Sequence, residues 1–184
     1  MNNIIAIVGM CGSGKSVACE HLEELGYKKV YFGGVTMDKL KEEGLDVNPA
    51  NEKMMRERLR KEYGMAAYAI LLLPKIKELA KDNNVVLDGL YSWDELKILN
   101  EEFKNMKTIA IITDKQLRYE RLKVRDIRPL TTEEAKNRDI SEIENLAKGG
   151  PISYADYFVF NNGTREETCK RIDDILKEIG GNNE

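Results

Sequence analysis

Eight consecutive residues, Gly9-Met10-Cys11-Gly12-Ser13-Gly14-Lys15-Ser16, are the part of this sequence best suited to do chemistry. They match G-x-x-x-x-G-K-[ST] at every position, the pattern of a phosphate-binding loop. Gly9, Gly12 and Gly14 let backbone N–H groups turn inward around phosphate oxygens, where side chains would block the approach. A helix starting near Lys15 points the positive end of its dipole at the same anion. Lys15 would reach the outer phosphates as a mobile charge, and Ser16 would place its hydroxyl on Mg²⁺. Cys11, Ser13 and Val17 complete the stretch expected to lie against the phosphates. The ligand expected here is ATP with Mg²⁺.

Such a loop does not fix the reaction. No Asn-Lys-x-Asp segment of the kind that reads guanine occurs in the chain. Val85-Val86-Leu87-Asp88-Gly89 carries glycine where motor-type ATPases have a water-activating glutamate. Asp88, expected at the end of a buried strand, is a candidate to hold magnesium or to align an acceptor, because strand carboxyl ends form the ligand crevice of such sheets. Arginine is clustered: none of the ten precedes Arg56, three fall within Arg56–Arg60 and five within Arg118–Arg138. Clustered guanidinium groups suit planar, bidentate recognition of phosphate. Arg118, Arg121, Arg125 and Arg128 recur at spacings of three, four and three, which places them on one face of a single helix. Arg138 follows in a polar insertion, where arginines over a phosphate loop would exclude water and offset charge.

These residues need a frame, and the chain supplies alternating elements. Ile4-Ile5-Ala6-Ile7-Val8 is an unbroken apolar run and reads as a strand buried on both faces. Further strands are expected at Lys28–Phe32, Val85–Leu87, Thr108–Thr113 and Tyr157–Phe160. Helices are expected at Ser16–Leu25, Val35–Glu43, Asn51–Tyr63, Met65–Lys81, Trp93–Phe103, Asp114 to about Arg128, and Thr164–Ile179. Alternation of this kind gives a parallel α/β sheet covered on both faces. Two stretches interrupt it, a helical one over 33–82 and a polar one over 126–153. The expected architecture is one domain over 1–184 with two insertions.

Composition excludes several classes. No run approaches the roughly 18 apolar residues that span a bilayer. The first residues lack the basic start of a targeting signal, so a cytoplasmic location without membrane contact is expected. Net charge is −3, and no broad nucleic-acid footprint is expected. Cys11, Cys19 and Cys169 are odd in number and lack metal-type spacing, and His21 is the single histidine, so neither disulfides nor zinc are expected. His21 sits among Glu20, Glu23 and Glu24 and reads as a solvated surface residue.

The succession of phosphate loop, helical insertion, Leu-Asp-Gly strand end and arginine-bearing lid resembles the nucleoside monophosphate kinases. Gln116-Leu-Arg-Tyr-Glu-Arg121-Leu-Lys-Val-Arg125-Asp126, with Thr132-Glu-Glu-Ala135 and Arg138, is similar to the lid region of dephospho-coenzyme A kinases. Ala155-Asp156-Tyr157-Phe158-Val159-Phe160-Asn161-Asn162-Gly163-Thr164 is similar to their last strand and the turn beside the adenine. Over nearly its whole length the chain resembles the UPF0200 family of archaeal kinase-like proteins. The resemblance implies a P-loop fold with a five-stranded parallel sheet in the order 2-3-1-4-5. It implies Arg125 and Arg138 on ATP phosphates, Arg121 nearer the adenine, Asn161 and Gly163 bordering the base, and Asp88 as the third-strand carboxylate. The acceptor side departs from the pattern. Phe32-Gly33-Gly34-Val35-Thr36-Met37-Asp38 has Gly34 and Met37 where monophosphate kinases have aspartate and arginine, and Asp38 lies late for the base of a dephospho-coenzyme A kinase. Arg56 and Arg60, one helical turn apart, are the alternative phosphate contacts, though they could instead pair with Glu52, Glu57 or Glu62. The expected activity is phosphoryl transfer from ATP to a small phosphorylated acceptor, a nucleotide or dephospho-coenzyme A-like compound. The alternatives are a regulatory ATP-binding protein or a slow ATPase.

Overall fold

A computed structural model describes residues 2–181. Five strands, β1 (Ile4–Val8), β2 (Lys28–Tyr31), β3 (Val85–Asp88), β4 (Lys107–Ile112) and β5 (Tyr157–Phe160), form one sheet. Its order is β2-β3-β1-β4-β5, and every pairing is parallel. All the strands therefore end at one edge of the sheet. The order 2-3-1-4-5 and the parallel pairing agree with the sequence reading.

Period two divides β1 between two cores. Ile4, Ala6 and Val8 face a cluster with Leu40, Met55, Tyr68, Ile76, Leu96 and Leu99. Ile5 and Ile7 face the opposite one with Leu22, Ile109, Ile111, Val159, Ile172 and Ile175. The second layer is built by α1 (Lys15–Glu24) and α9 (Arg165–Gly181). The first is built by α2 (Gly34–Glu42), α3 (Pro49–Tyr63), α4 (Ala67–Asp82) and α5 (Trp93–Glu102). Fully burying one such aliphatic side chain stabilises the fold by about 1.5–3 kcal/mol.

Local chemistry fixes the helix ends. Asn48 caps α3 by accepting from the Asn51 N–H at 2.9 Å, and Pro49 opens its first turn, where the missing N–H costs nothing. Ser92 and Glu95 make a reciprocal capping box on α5. Thr131 and Glu134 do the same for α7 (Thr132–Leu146), which stops at Ala147 in the left-handed conformation. A short helix, α8 (Gly149–Ser153), then leads into β5.

Two expectations change here. The arginine helix, α6 (Lys115–Val124), ends before Arg125, which is its C-cap in an extended conformation. Arg128 has φ 53°. The four arginines therefore do not share a helical face, and each is directed to a different partner. Asp114 precedes α6 without a side-chain capping bond. His21 also differs from expectation, being half-buried with Nε2 2.7 Å from Asp173 on α9.

Candidate functional site

The loop between β1 and α1 is held from three sides. Thr113 Oγ1 and Asn161 Nδ2, beyond the ends of β4 and β5, both donate to the Ser13 carbonyl at 2.9 Å. Arg118 of α6 donates to the Cys11 carbonyl at 2.9 Å. Glycine is required where these braces press in. A Cβ on Gly14, at φ 89°, would collide with the Asn161 amide. One on Gly12, at φ 79°, would lie 2.9 Å from both the Arg118 carbonyl and the Leu122 side chain.

The loop fits a phosphate chain. Lys15 Nζ donates to its own loop carbonyls, Gly9 at 2.9 Å and Met10 at 3.0 Å, so the ammonium is centred over the loop. Burial, reinforced by repulsion from Lys148, lowers its pKa to about 8. Ser13 Oγ is buried without a hydrogen-bond partner among the described residues. Ser16 is exposed in the first turn of α1, and Val17 donates to the Gly14 carbonyl at 3.1 Å. Asp88 stands at the end of β3, where burial raises its pKa and nearby Lys15 offsets part of the rise. Among the described residues no group of three or more His, Cys, Asp or Glu could hold a metal alone. An ion carried by phosphates needs no such group.

Facing the sheet edge is a cavity of about 670 Å³ between the helical insertion and the lid. Arg56 and Arg60 of α3 line it on one side, Arg128 and Arg138 on the other, with Tyr31, Tyr68 and Tyr91 among its walls. Glu52, almost fully buried, accepts from Arg128 at 2.5 and 3.2 Å and from Arg56 at 3.4 Å, tying lid to insertion. Arg60 differs: its guanidinium lies 5.6 Å over the Tyr68 ring, and its Nε is buried without a partner among the described residues. The Tyr31 ring folds over Gly33, where a Cβ would strike its hydroxyl, so the glycine at 33 makes room for an aromatic wall.

Asp38 lies away from the cavity, and the other expected residues have partners of their own. Asp38 is exposed on α2 and does not line the cavity, which Thr36 and Met37 reach instead, because the α2 turn carries position 38 outward. The Asn161 amide is used inside the protein, bracing Ser13 and accepting from Thr168 at 2.9 Å, and is not free to read a base. Gly163 is exposed beside Glu167, whose carboxylate caps the Thr164 N–H. Arg125 donates to the Arg128 carbonyl at 2.5 Å and shapes the lid loop, while Arg138 reaches the cavity. Arg121 stays beside the loop, 3.5 Å from Thr113 Oγ1.

Other functional candidates carry no sequence motif. Arg118, 6% exposed, makes a two-pronged pair with Asp139 of α7 at 2.9 and 2.6 Å, and Tyr119 donates to the same carboxylate at 3.1 Å. Glu142 of α7 binds Arg138 and Lys148 at once.

Comparison with known proteins agrees with this geometry. A family model described as "AAA domain" matches residues 5–145. A UPF0200 protein of Thermococcus kodakarensis, TK1334, is 35% identical over 96% of this chain and 97% of its own. Among solved structures, a shikimate kinase from Bacteroides thetaiotaomicron superposes with TM-score 0.61 at 17% identity, covering 95% of this chain and 98% of that one. A dephospho-CoA kinase from Campylobacter jejuni does so with TM-score 0.57 at 19% identity, covering 97% of both. The fold is thus that of the P-loop kinases, and the chain, matched by the AAA-domain model over most of its length, belongs to the UPF0200 family.

Proposed function

We propose that this protein transfers a phosphoryl group from ATP to a small phosphorylated acceptor held between the helical insertion and the lid. The observation that carries this reading is the arginine-lined cavity, whose wall residue Glu142 lies close enough to Lys15 to offset part of the lowering of its pKa. Bound ATP·Mg²⁺ would supply the phosphoryl group. Lys15, Gly9, Cys11, Gly12, Ser13, Gly14, Ser16 and Val17 would hold the phosphate chain, with Arg121 alongside, and Ser16 with Asp88 would serve the metal. Arg138 would neutralise charge from the lid. Arg60, the cavity arginine without a carboxylate partner among the described residues, is the best-placed anchor for the acceptor phosphate, and Arg56 would assist it. Rate would come from positioning and electrostatics in a site shielded from water.

Labelled ATP offered with nucleoside monophosphates, nucleosides and dephospho-coenzyme A tests the reading. Transfer to one acceptor is expected, and hydrolysis indifferent to every acceptor would overturn it in favour of a slow ATPase or binding protein. Arg60→Met is expected to raise the acceptor KM by about 10–100-fold, the loss of a charged hydrogen bond, with the ATP KM unchanged. An unchanged acceptor KM would remove Arg60 from the site.

Lys15 adds a pH signature. With its pKa near 8 in the free protein, the side chain is mostly neutral at pH 8.5. A phosphate chain favours the charged form and raises that pKa. ATP binding at pH 8.5 is therefore expected to take up at most about three-quarters of a proton, read by calorimetry in two buffers of different ionisation enthalpy. Equal apparent enthalpies in both buffers would contradict it.

A further inference from the structure

We propose that Lys148 is a second phosphate-binding lysine, meeting the terminal phosphate of the nucleotide from the cavity side while Lys15 meets it from the loop side. The proposal rests on the transfer reading above and extends the same site. Lys148 stands at the N-cap of α8, before Gly149-Gly150-Pro151, outside every motif read from the sequence. It is 3% exposed. Its Nζ donates to Glu142 Oε2 at 2.8 Å and lies 5.6 Å from the Tyr91 ring centroid. Glu142 and Tyr91 both line the cavity, so the ammonium is bracketed by two of its wall residues. The Lys148 N–H also donates to the Glu142 carbonyl at 3.2 Å, fixing the turn that aims the side chain. Lys148 is at the same time near enough to Lys15 to repel it. These contacts place Nζ where the acceptor cavity meets the phosphate loop.

Charged groups of both signs crowd this point. Lys15, Lys148 and Arg138 gather around the carboxylates of Glu142 and Asp88, with Glu95 also acting on Lys148. Glu142 is divided: Oε1 accepts from Arg138 at 3.2 Å and Oε2 from Lys148. Burial alone would raise its pKa, yet Lys148 and Arg138 hold it below the usual carboxylate range. A lysine with only a structural duty would fold more easily as an apolar residue, since desolvating an ammonium beside another one opposes folding. Two neighbouring ammonium groups, those of Lys15 and Lys148, are what an arriving polyanion would stabilise together.

The test compares binding of ATP and ADP, each with Mg²⁺, by calorimetry on the full chain without acceptor. Lys148→Met is expected to weaken ATP about tenfold, as for loss of one charged hydrogen bond, and ADP less than twofold. Lys148→Arg is expected to recover most of the ATP affinity. Loss shared equally by ATP and ADP, or no loss, would overturn the proposal and leave Lys148 as a strut for Glu142. If the methionine variant does not fold, the same ratio is read in Lys148→Gln, which keeps a hydrogen bond to Glu142, and an unchanged ratio there is equally fatal. A wild-type protein that transfers to no acceptor would remove the function proposed above, while the ATP-to-ADP ratio still decides the fate of Lys148.

Discussion

Lys15→Met is expected to lower kcat about 10³-fold, the scale of losing one charged group aimed at the transition state. The side chain is held over the loop by two carbonyls, and methionine keeps its length while removing the charge. Stability is expected to move the other way or not at all. The folded-state pKa of about 8 lies below the ordinary 10.5, so the unfolded chain binds more protons between these values. Stability then rises with pH across that window, because the ionised side chain burdens the fold at neutral pH. Loss of turnover without loss of Tm therefore separates a catalytic lysine from a structural one. A variant with kcat within threefold of wild type would sink the assignment.

Asp139→Asn is expected to destabilise the protein by about 3–5 kcal/mol, because it strands a buried guanidinium without its carboxylate. For a chain of this size that corresponds to a fall in Tm of roughly 6–20 °C. Arg118 links three parts at once: α6 carries it, α7 supplies Asp139, and Cys11 of the phosphate loop accepts its remaining bond. The substitution should therefore also loosen ATP binding, although Asp139 touches no phosphate. Thermal unfolding alongside ATP titration checks both effects, and a stability change under 1 kcal/mol would mean that Arg118 is held by its other contacts alone.

The fold was largely legible because its signals are local. The Ile4–Val8 run, the glycine spacing of the loop and the Asp88-Gly89 strand end each depend on adjacent residues, and all five strands lie within a residue or two of their expected bounds. The lid was misread for an instructive reason. A helical spacing of arginines continued past Val124, but no sequence pattern says that Arg118 will bury itself on Asp139 while Arg128 crosses to Glu52. Those pairings span 21 and 76 positions, beyond the reach of periodicity. Asp38 misled in the opposite way, by having the right chemistry one turn too far along α2. Asn161 was expected near the nucleotide and does sit by the loop, but its amide is committed to Ser13, a long-range contact that only the folded sheet creates.

The Tyr31 ring lying over Gly33 has an evolutionary consequence. A methyl group at 33 would evict the ring, and without the ring the glycine would be an unneeded source of chain freedom. The two positions are expected to change together among relatives: an aromatic at 31 with glycine at 33, and any residue bulkier than glycine at 33 only where the aromatic at 31 is gone. An alignment in which the two positions vary independently would show that the ring has other places to rest.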